Sequence, residues 1–291
     1  MAWTTSDRVM TFRERWHAFD VFAEMMDGWR RHLSGRNASV LAFFSFLSIF
    51  PLLLAVTTIL GFVLEDNADL RARLVDGALK DIPGLSEDLA AGTIQGSVWA
   101  LVIGVLSALW SSTKAFVGLQ SALDDTWEVH VDDRAGLPVQ RGKSILGILF
   151  LGGAQVGSIV IAAIVGAAGL PAIGNVALVA GTAAINVVVM AAMYRFLTSA
   201  EPTWDDVWLG ALIAGLVFTA LQHFGTSIVL RIQENAGDTY GQFALVLGIV
   251  TWLSFVAIAM LMCAELNAAR VRLARGPTLA DAQSYDIPIR T

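Results

Sequence analysis

Charged residues mark off long apolar runs in this chain. Ala38 to Leu64 carries no charge between Arg36 and Glu65, Leu89 to Thr113 none between Asp88 and Lys114, and Val207 to Leu230 none between Asp206 and Arg231. Thr239 to Ala264 is likewise uncharged between Asp238 and Glu265. A helix rising about 1.5 Å per residue needs roughly 20 apolar residues to cross a hydrocarbon core of about 30 Å, where lipid offers the backbone no partner. Ser144 to Tyr194 is uncharged for 51 residues, too long for one crossing. Leu170-Pro171-Ala172-Ile173-Gly174-Asn175 supplies turn residues in its middle. The pattern therefore predicts an all-α polytopic membrane protein. Its six transmembrane helices are expected over about 38–64, 89–113, 144–169, 174–194, 207–230 and 239–264.

Outside these runs the periodicity changes. Phe12, Trp16, Phe19, Phe22, Met26, Trp29 and Leu33 recur every three or four residues, which predicts an amphipathic helix within 1–37, lying in the interface or packed on the bundle. Leu70, Leu74, Ala78 and Ile82 repeat at helical spacing in a connection holding seven acids, which predicts a short acidic helix. Phe116, Leu119, Leu123 and Trp127 continue in register past Lys114, so the second span should run on before a polar loop at Val131–Arg141. The membrane domain is expected over 38–275, and 276–291, opening on Gly276-Pro277, as a loosely ordered tail.

Lys and Arg fix the orientation, because they stay on the cytoplasmic side. Segments 1–37, 114–143, 195–206 and 265–291 hold 15 of them; 65–92, the hairpin and 231–238 hold 4, accounting for all 19. Both termini are thus expected in the cytoplasm.

Composition agrees with lipid as the solvent. Charged residues make up 15% of the 291 and hydrophobic ones 56%, with mean hydropathy +0.64; soluble domains are about a quarter charged. A net charge of −6 without a basic stripe argues against nucleic acid as a partner. The lone Cys263 allows neither an intrachain disulfide nor a cysteine zinc cluster. HExxH, GxSxG, P-loop and GxGxxG motifs are absent, and the histidines at 17, 32, 130 and 223 are dispersed. The expectation is no enzyme, no cofactor and no metal site.

Polar groups inside the spans need a partner or a function. Gln155 lies near the middle of the third span between Gly153 and Gly157, a GxxxG pair that admits a neighbouring helix, so it is expected to make an interhelical hydrogen bond or to touch a ligand. Asn186 in the fourth span and Gln222 and His223 in the fifth pose the same choice; His223 could relay protons or meet an anionic headgroup, or rest on a carbonyl. Gln155, Asn186, Gln222 and His223 form the candidate translocation path. Lys114 and Glu265 fall at the same expected depth, which predicts an ion pair between spans two and six. The sequon Asn37-Ala38-Ser39 falls on the cytoplasmic side and is discounted.

Four motifs resemble those of the YihY/BrkB family of bacterial inner-membrane proteins, once labelled ribonuclease BN. Ala42-Phe43-Phe44-Ser45-Phe46-Leu47-Ser48-Ile49-Phe50-Pro51 is similar to the family's opening signature, with Phe43 and Phe44 where tyrosines are common. Trp110-Ser111-Ser112 with Gly118-Leu119 and Ala122-Leu123 resembles its second, with Asp124 for asparagine and Trp127 for tyrosine. Tyr240-Gly241 and Ala264-Glu265-Leu266-Asn267-Ala268 resemble its last helix, and Gln233–Gly241 is similar to the YhjD branch. The resemblance implies a multi-pass inner-membrane protein of the cell envelope, moving a lipid or other amphiphile, with membrane lipids and an envelope protein as its partners. The alternative is a structural or partner-binding scaffold. Nuclease chemistry would need clustered acids holding metal beside a basic groove, which the sequence lacks.

Overall fold

A computed structural model describes residues 11–13, 15–64, 98–167, 171–240 and 243–275. Every long element among them is helical: α1 (His17–Arg31), α2 (Ser34–Leu64), α3 (Val98–Thr126), α4 (Leu137–Ala167), α5 (Pro171–Phe196), α6 (Trp204–Tyr240) and α7 (Phe243–Arg275). A single 3-10 turn, Val131–Asp133, stands between α3 and α4. Four stretches are long and apolar enough to cross a bilayer: Val102–Thr126, Leu178–Phe196, Trp204–Gly225 and Phe243–Arg275. The bent pair His17–Arg31 and Ser34–Pro51, meeting at 64°, raises the number to as many as five. The expected acidic helix near Leu70–Ile82, the first part of the second span, Gly241 and the tail 276–291 lie outside the described residues.

α1 forms where the aromatic periodicity predicts a helix. Asp20 in its first turn and Arg30 and Arg31 in its last complement the helix dipole. Its buried residues, however, are Val21, Ala23, Met25 and Gly28, while Phe12, Trp16, Phe22 and Leu33 are exposed. The reason is close approach to α7: a Cβ on Gly28 would sit 2.5 Å from Glu265 Oε2 and 2.8 Å from an Arg272 nitrogen. Leu33 turns the chain with a left-handed φ of 52°, unfavourable for a branched residue. Arg36 and Asn37 then donate their N–H groups to its carbonyl, so α2 starts four residues before the expected span.

The chain forms two bodies, Met1–Ala42 with Phe116–Thr291, and Phe43–Ala115. In the smaller body, Ser48 Oγ donates to the Ser45 carbonyl at 2.7 Å, and Phe46 meets Phe50 edge-on at 5.2 Å. Pro51 lies within α2. Lys114 stacks over the exposed Trp110 ring, next to Ser111, at 5.5 Å.

In the larger body α4 packs on α5, α5 on α6, α6 on α7 and α7 on α1. Leu123, Val189, Tyr194, Val207 and Leu261 fill the core, and the Tyr194 hydroxyl donates to the Met260 carbonyl at 2.7 Å. Small residues set the spacing. A Cβ on Gly215 would meet the Val187 Cα at 2.6 Å, so α5 and α6 touch backbone to backbone. At Gly118 the neighbour is Leu41 Cδ2, 3.6 Å from the Cβ position. By contrast, no described atom lies within 4 Å of a Cβ at Gly153 or Gly157. Among the described residues, the GxxxG pair has no close neighbour.

Two connections differ from expectation. Residues 171–175, read as part of a turn, are the first turns of α5, with Pro171 at its opening position, where a missing N–H costs nothing. Residues 231–238, expected to be a loop because they carry Arg231, Glu234 and Asp238, continue α6 to Tyr240. Charges end an apolar run but do not end a helix.

Candidate functional site

The end of α1, the start of α2 and the end of α3 converge on Glu265 of α7, whose side chain is fully buried. Ser34 Oγ donates to its Oε1 at 2.6 Å, His32 Nδ1 lies 2.9 Å away, and Thr126 Oγ1 stands at 3.4 Å. Thr126 spends its single hydroxyl proton better on the Ala122 carbonyl, at 2.9 Å. Glu265 Oε2 faces Arg272 at 3.7 Å. Arg272 also reaches Glu24 at 3.1 Å and the Thr126 carbonyl at 3.0 Å. His32 Nε2 lies 3.3 Å from Glu128, and Arg31 bonds Glu24 at 2.9 Å.

Acids and bases therefore alternate. Burial pushes the His32 imidazole down, but its hydrogen bonds to Glu128 and Glu265, with the Glu265 charge, outweigh that and raise it above the ordinary 6.5. The His32 hydrogen bond holds Glu128 below its ordinary 4.5 against the opposing effect of burial, with Arg272 and Arg31 adding to it. An imidazolium can donate to both carboxylates at once, whereas a neutral ring can donate to one. Within its own unit Glu265 is partnered by His32, which follows α1 next to the left-handed Leu33, and by Arg272, two turns along the same helix.

Ser34 donates to the Glu265 carboxylate and not to the imidazole, so the hydroxyl helps to hold the buried acid in place. Among the described residues, no group of three or more His, Cys, Asp or Glu is arranged to hold a metal ion.

Neighbouring motif residues do similar holding work. Asp124, buried, accepts from Thr198 Oγ1 at 2.8 Å and from the Ser199 N–H at 2.6 Å, tying α3 to the end of α5. Asn267 accepts from the Gly210 N–H at 2.7 Å and donates to the Val207 carbonyl at 3.1 Å, tying α7 to α6. The aspartate that stands where asparagine is usual accepts three bonds, from Thr198 and from both Ser199 groups, as suits an all-acceptor carboxylate.

The candidate path residues do not all meet. Asn186, buried, donates to Gln222 at 2.8 Å and to Thr219 at 2.9 Å, an interhelical pairing of α5 with α6. His223 is exposed, its ring edge-on to Phe224 at 5.1 Å. Gln155 lies within α4, but its side chain is outside the described residues, as is that of Tyr240. Sequence reasoning missed a shallow apolar groove of about 480 Å³ between α4 and α5. Leu149, Phe150, Gly153, Ala184, Ile185 and Val188 are among its lining residues. Gly153 was legible only as a packing glycine.

Apolar helices of spanning length, joined by neutral amide pairs at depth and by a charged knot at one end, define a polytopic helical membrane protein. The chain belongs to the virulence factor BrkB family, also written YihY/BrkB, whose model matches residues 25–286. A protein of Dickeya dadantii (strain 3937), described as uncharacterized, is 24% identical over 270 residues, covering 84% of this chain and 80% of its own. No solved structure matches.

Proposed function

We propose that this is an inner-membrane protein of the cell envelope, with six spans and both termini cytoplasmic, that moves a lipid or other amphiphile along the surface of its bundle. The observation that carries this reading is the groove between α4 and α5, an apolar slot of about 480 Å³ on a helix face. It suits an acyl chain: its lining is aliphatic and aromatic, and Gly153 and Ala184 keep it open. A headgroup would travel outside the slot, and neither an enzymatic step nor a cofactor is needed. The 15-to-4 distribution of basic residues supports the orientation.

A scaffold that binds an envelope partner is the second reading, favoured by one observation. Asn186 and Gln222 satisfy each other in the packed interior instead of opening on a cavity. Flipping of fluorescent phospholipids in proteoliposomes, against empty vesicles prepared identically, separates the two. Protein-dependent flipping is expected; flipping at the empty-vesicle rate for several headgroup classes would favour the scaffold.

A further inference from the structure

Arginines among the described residues differ in what lies against their guanidinium groups. Arg13, Arg31, Arg134 and Arg272 each lie within 4 Å of a carboxylate, the shortest contacts being 2.6, 2.9, 2.8 and 3.1 Å. Arg195, at the end of α5, and Arg270, near the end of α7, have no carboxylate within that distance among the described residues. Aromatic faces take the carboxylate's place. Arg195 stands 4.7 Å from the centre of the Trp204 ring, and Arg270 stands 5.7 Å from that of Trp208.

α6 packs between α5 and α7, and each guanidinium lies against one of two tryptophans that stand one turn apart on α6. Trp204 and Trp208 are four residues apart, on one face of its first turns, and are 51% and 50% exposed. Phe196 packs edge-on against Trp204 at 5.8 Å and is also exposed. Arg195 spends one nitrogen on the Pro202 carbonyl at 2.9 Å, which fixes its plane. One terminal nitrogen of Arg270 is buried without a hydrogen-bond partner among the described residues. Four and eight residues beyond Trp208, Leu212 and Leu216 continue the exposed apolar face along α6.

We infer that Arg195, Arg270, Trp204 and Trp208 form a binding site for the phosphate of an anionic phospholipid in the leaflet at which α6 begins. Each part matches a part of that ligand. Guanidinium groups bind phosphate oxygens through paired N–H donors, and their weak hydration lets them do so at a membrane boundary. Tryptophan settles at headgroup depth, with its ring in the apolar region and its N–H toward water. The Trp208–Leu212–Leu216 stripe would carry the acyl chains. A carboxylate partner would cancel the charge that attracts the lipid, which gives the lack of one a purpose. Asp205 and Asp206 also open α6, but Asp206 is engaged as a cap, accepting from the Thr203 N–H and hydroxyl at 2.8 Å each. The site rests on the membrane reading of α6 and not on transport, so it can stand where flipping fails.

Purified protein in nanodiscs of phosphatidylcholine with a minor fraction of photoreactive phosphatidylglycerol tests this. Adducts are expected on peptides covering 195–208 and 266–275, competed by unlabelled phosphatidylglycerol and not by phosphatidylcholine or inorganic phosphate. The double variant Arg195→Gln with Arg270→Gln should bind phosphatidylglycerol about tenfold less tightly or worse, from roughly 1 kcal/mol per basic residue at a membrane surface. The charge-preserving Arg195→Lys with Arg270→Lys should retain most of the preference. Wild-type adducts confined to other segments, or equal capture of both lipids, would overturn the site even if the variants fail to fold. Competition by inorganic phosphate alone would show an ion site and overturn the lipid assignment.

Discussion

The charged knot around Glu265 and the amide pair at Asn186 solve the same problem at different depths. At the knot, where the ends of α1 and α3 meet α7, two carboxylates, an imidazole and a guanidinium neutralise one another within 2.9 to 3.7 Å. Deeper in the bundle, α5 and α6 are joined by an amide, a second amide and a hydroxyl, with no net charge to desolvate. Full charges are kept where a network can satisfy them, and neutral groups serve where lipid is near. The apolar groove lies on the other neighbour of α5, towards α4, clear of both. On the proposed reading, holding and acting fall on different surfaces of the same bundle.

The comparison can be broken at several points. Glu265→Ala removes the buried centre of the knot and leaves His32 and Arg272 only their outer partners Glu128 and Glu24, so thermal unfolding in detergent should show the largest loss, about 3 kcal/mol. Gly215→Leu forces a side chain onto the Val187 backbone and should cost about 1–3 kcal/mol, or more where the helices cannot part. His32→Gln should change the shape of the pH dependence. Because its folded-state pKa is raised above 6.5, the stability it contributes is complete below 6.5 and is lost as pH rises through the raised value. Glu128, lowered from 4.5, acts oppositely: its contribution is complete above 4.5 and lost as pH falls through the lowered value. The knot should hold best between 4.5 and 6.5. A variant profile identical to wild type on the alkaline side would remove His32 from the account.

Smaller effects sharpen the contrast. A double-mutant cycle of Asn186→Leu and Gln222→Leu should give a coupling of about 0.6–1.7 kcal/mol, the range for hydrogen bonds between membrane helices. Coupling near zero would mean the pair is incidental. His223→Ala should move stability by no more than about 0.5 kcal/mol, because the ring is exposed and touches Phe224 alone among its described ring contacts.

Much of this was legible in the sequence, for identifiable reasons. Charge boundaries locate helices because lipid excludes charge: α2, α5 and α6 cover their expected runs, and α7 covers its own from Phe243 onward. Asp124, Glu265 and Asn267 stand out as polar residues in family motifs, and all three are buried and paired. Partner choice was less legible. Nothing local signals that Leu33 adopts a left-handed φ and that His32 and Arg272 are the groups that reach Glu265. Glycine spacing misled in the same way: Gly153 and Gly157 have the motif, but Gly210 and Gly215 have the contacts. A one-dimensional pattern shows what a helix can present, not which neighbour arrives. Helix α6 likewise ran on through Arg231, Glu234 and Asp238, since a charged turn at the end of a span is still a good helix.

The division between holding and acting surfaces meets its most direct test in the flipping rate per folded molecule, measured in proteoliposomes for Ala184→Phe and Glu265→Gln beside wild type. Ala184→Phe should fill the groove and cut the rate several-fold at normal abundance, whereas Glu265→Gln should lower the yield of assembled protein and leave the rate of each survivor unchanged. An unaltered rate in Ala184→Phe, or a changed rate per molecule in Glu265→Gln, would contradict it.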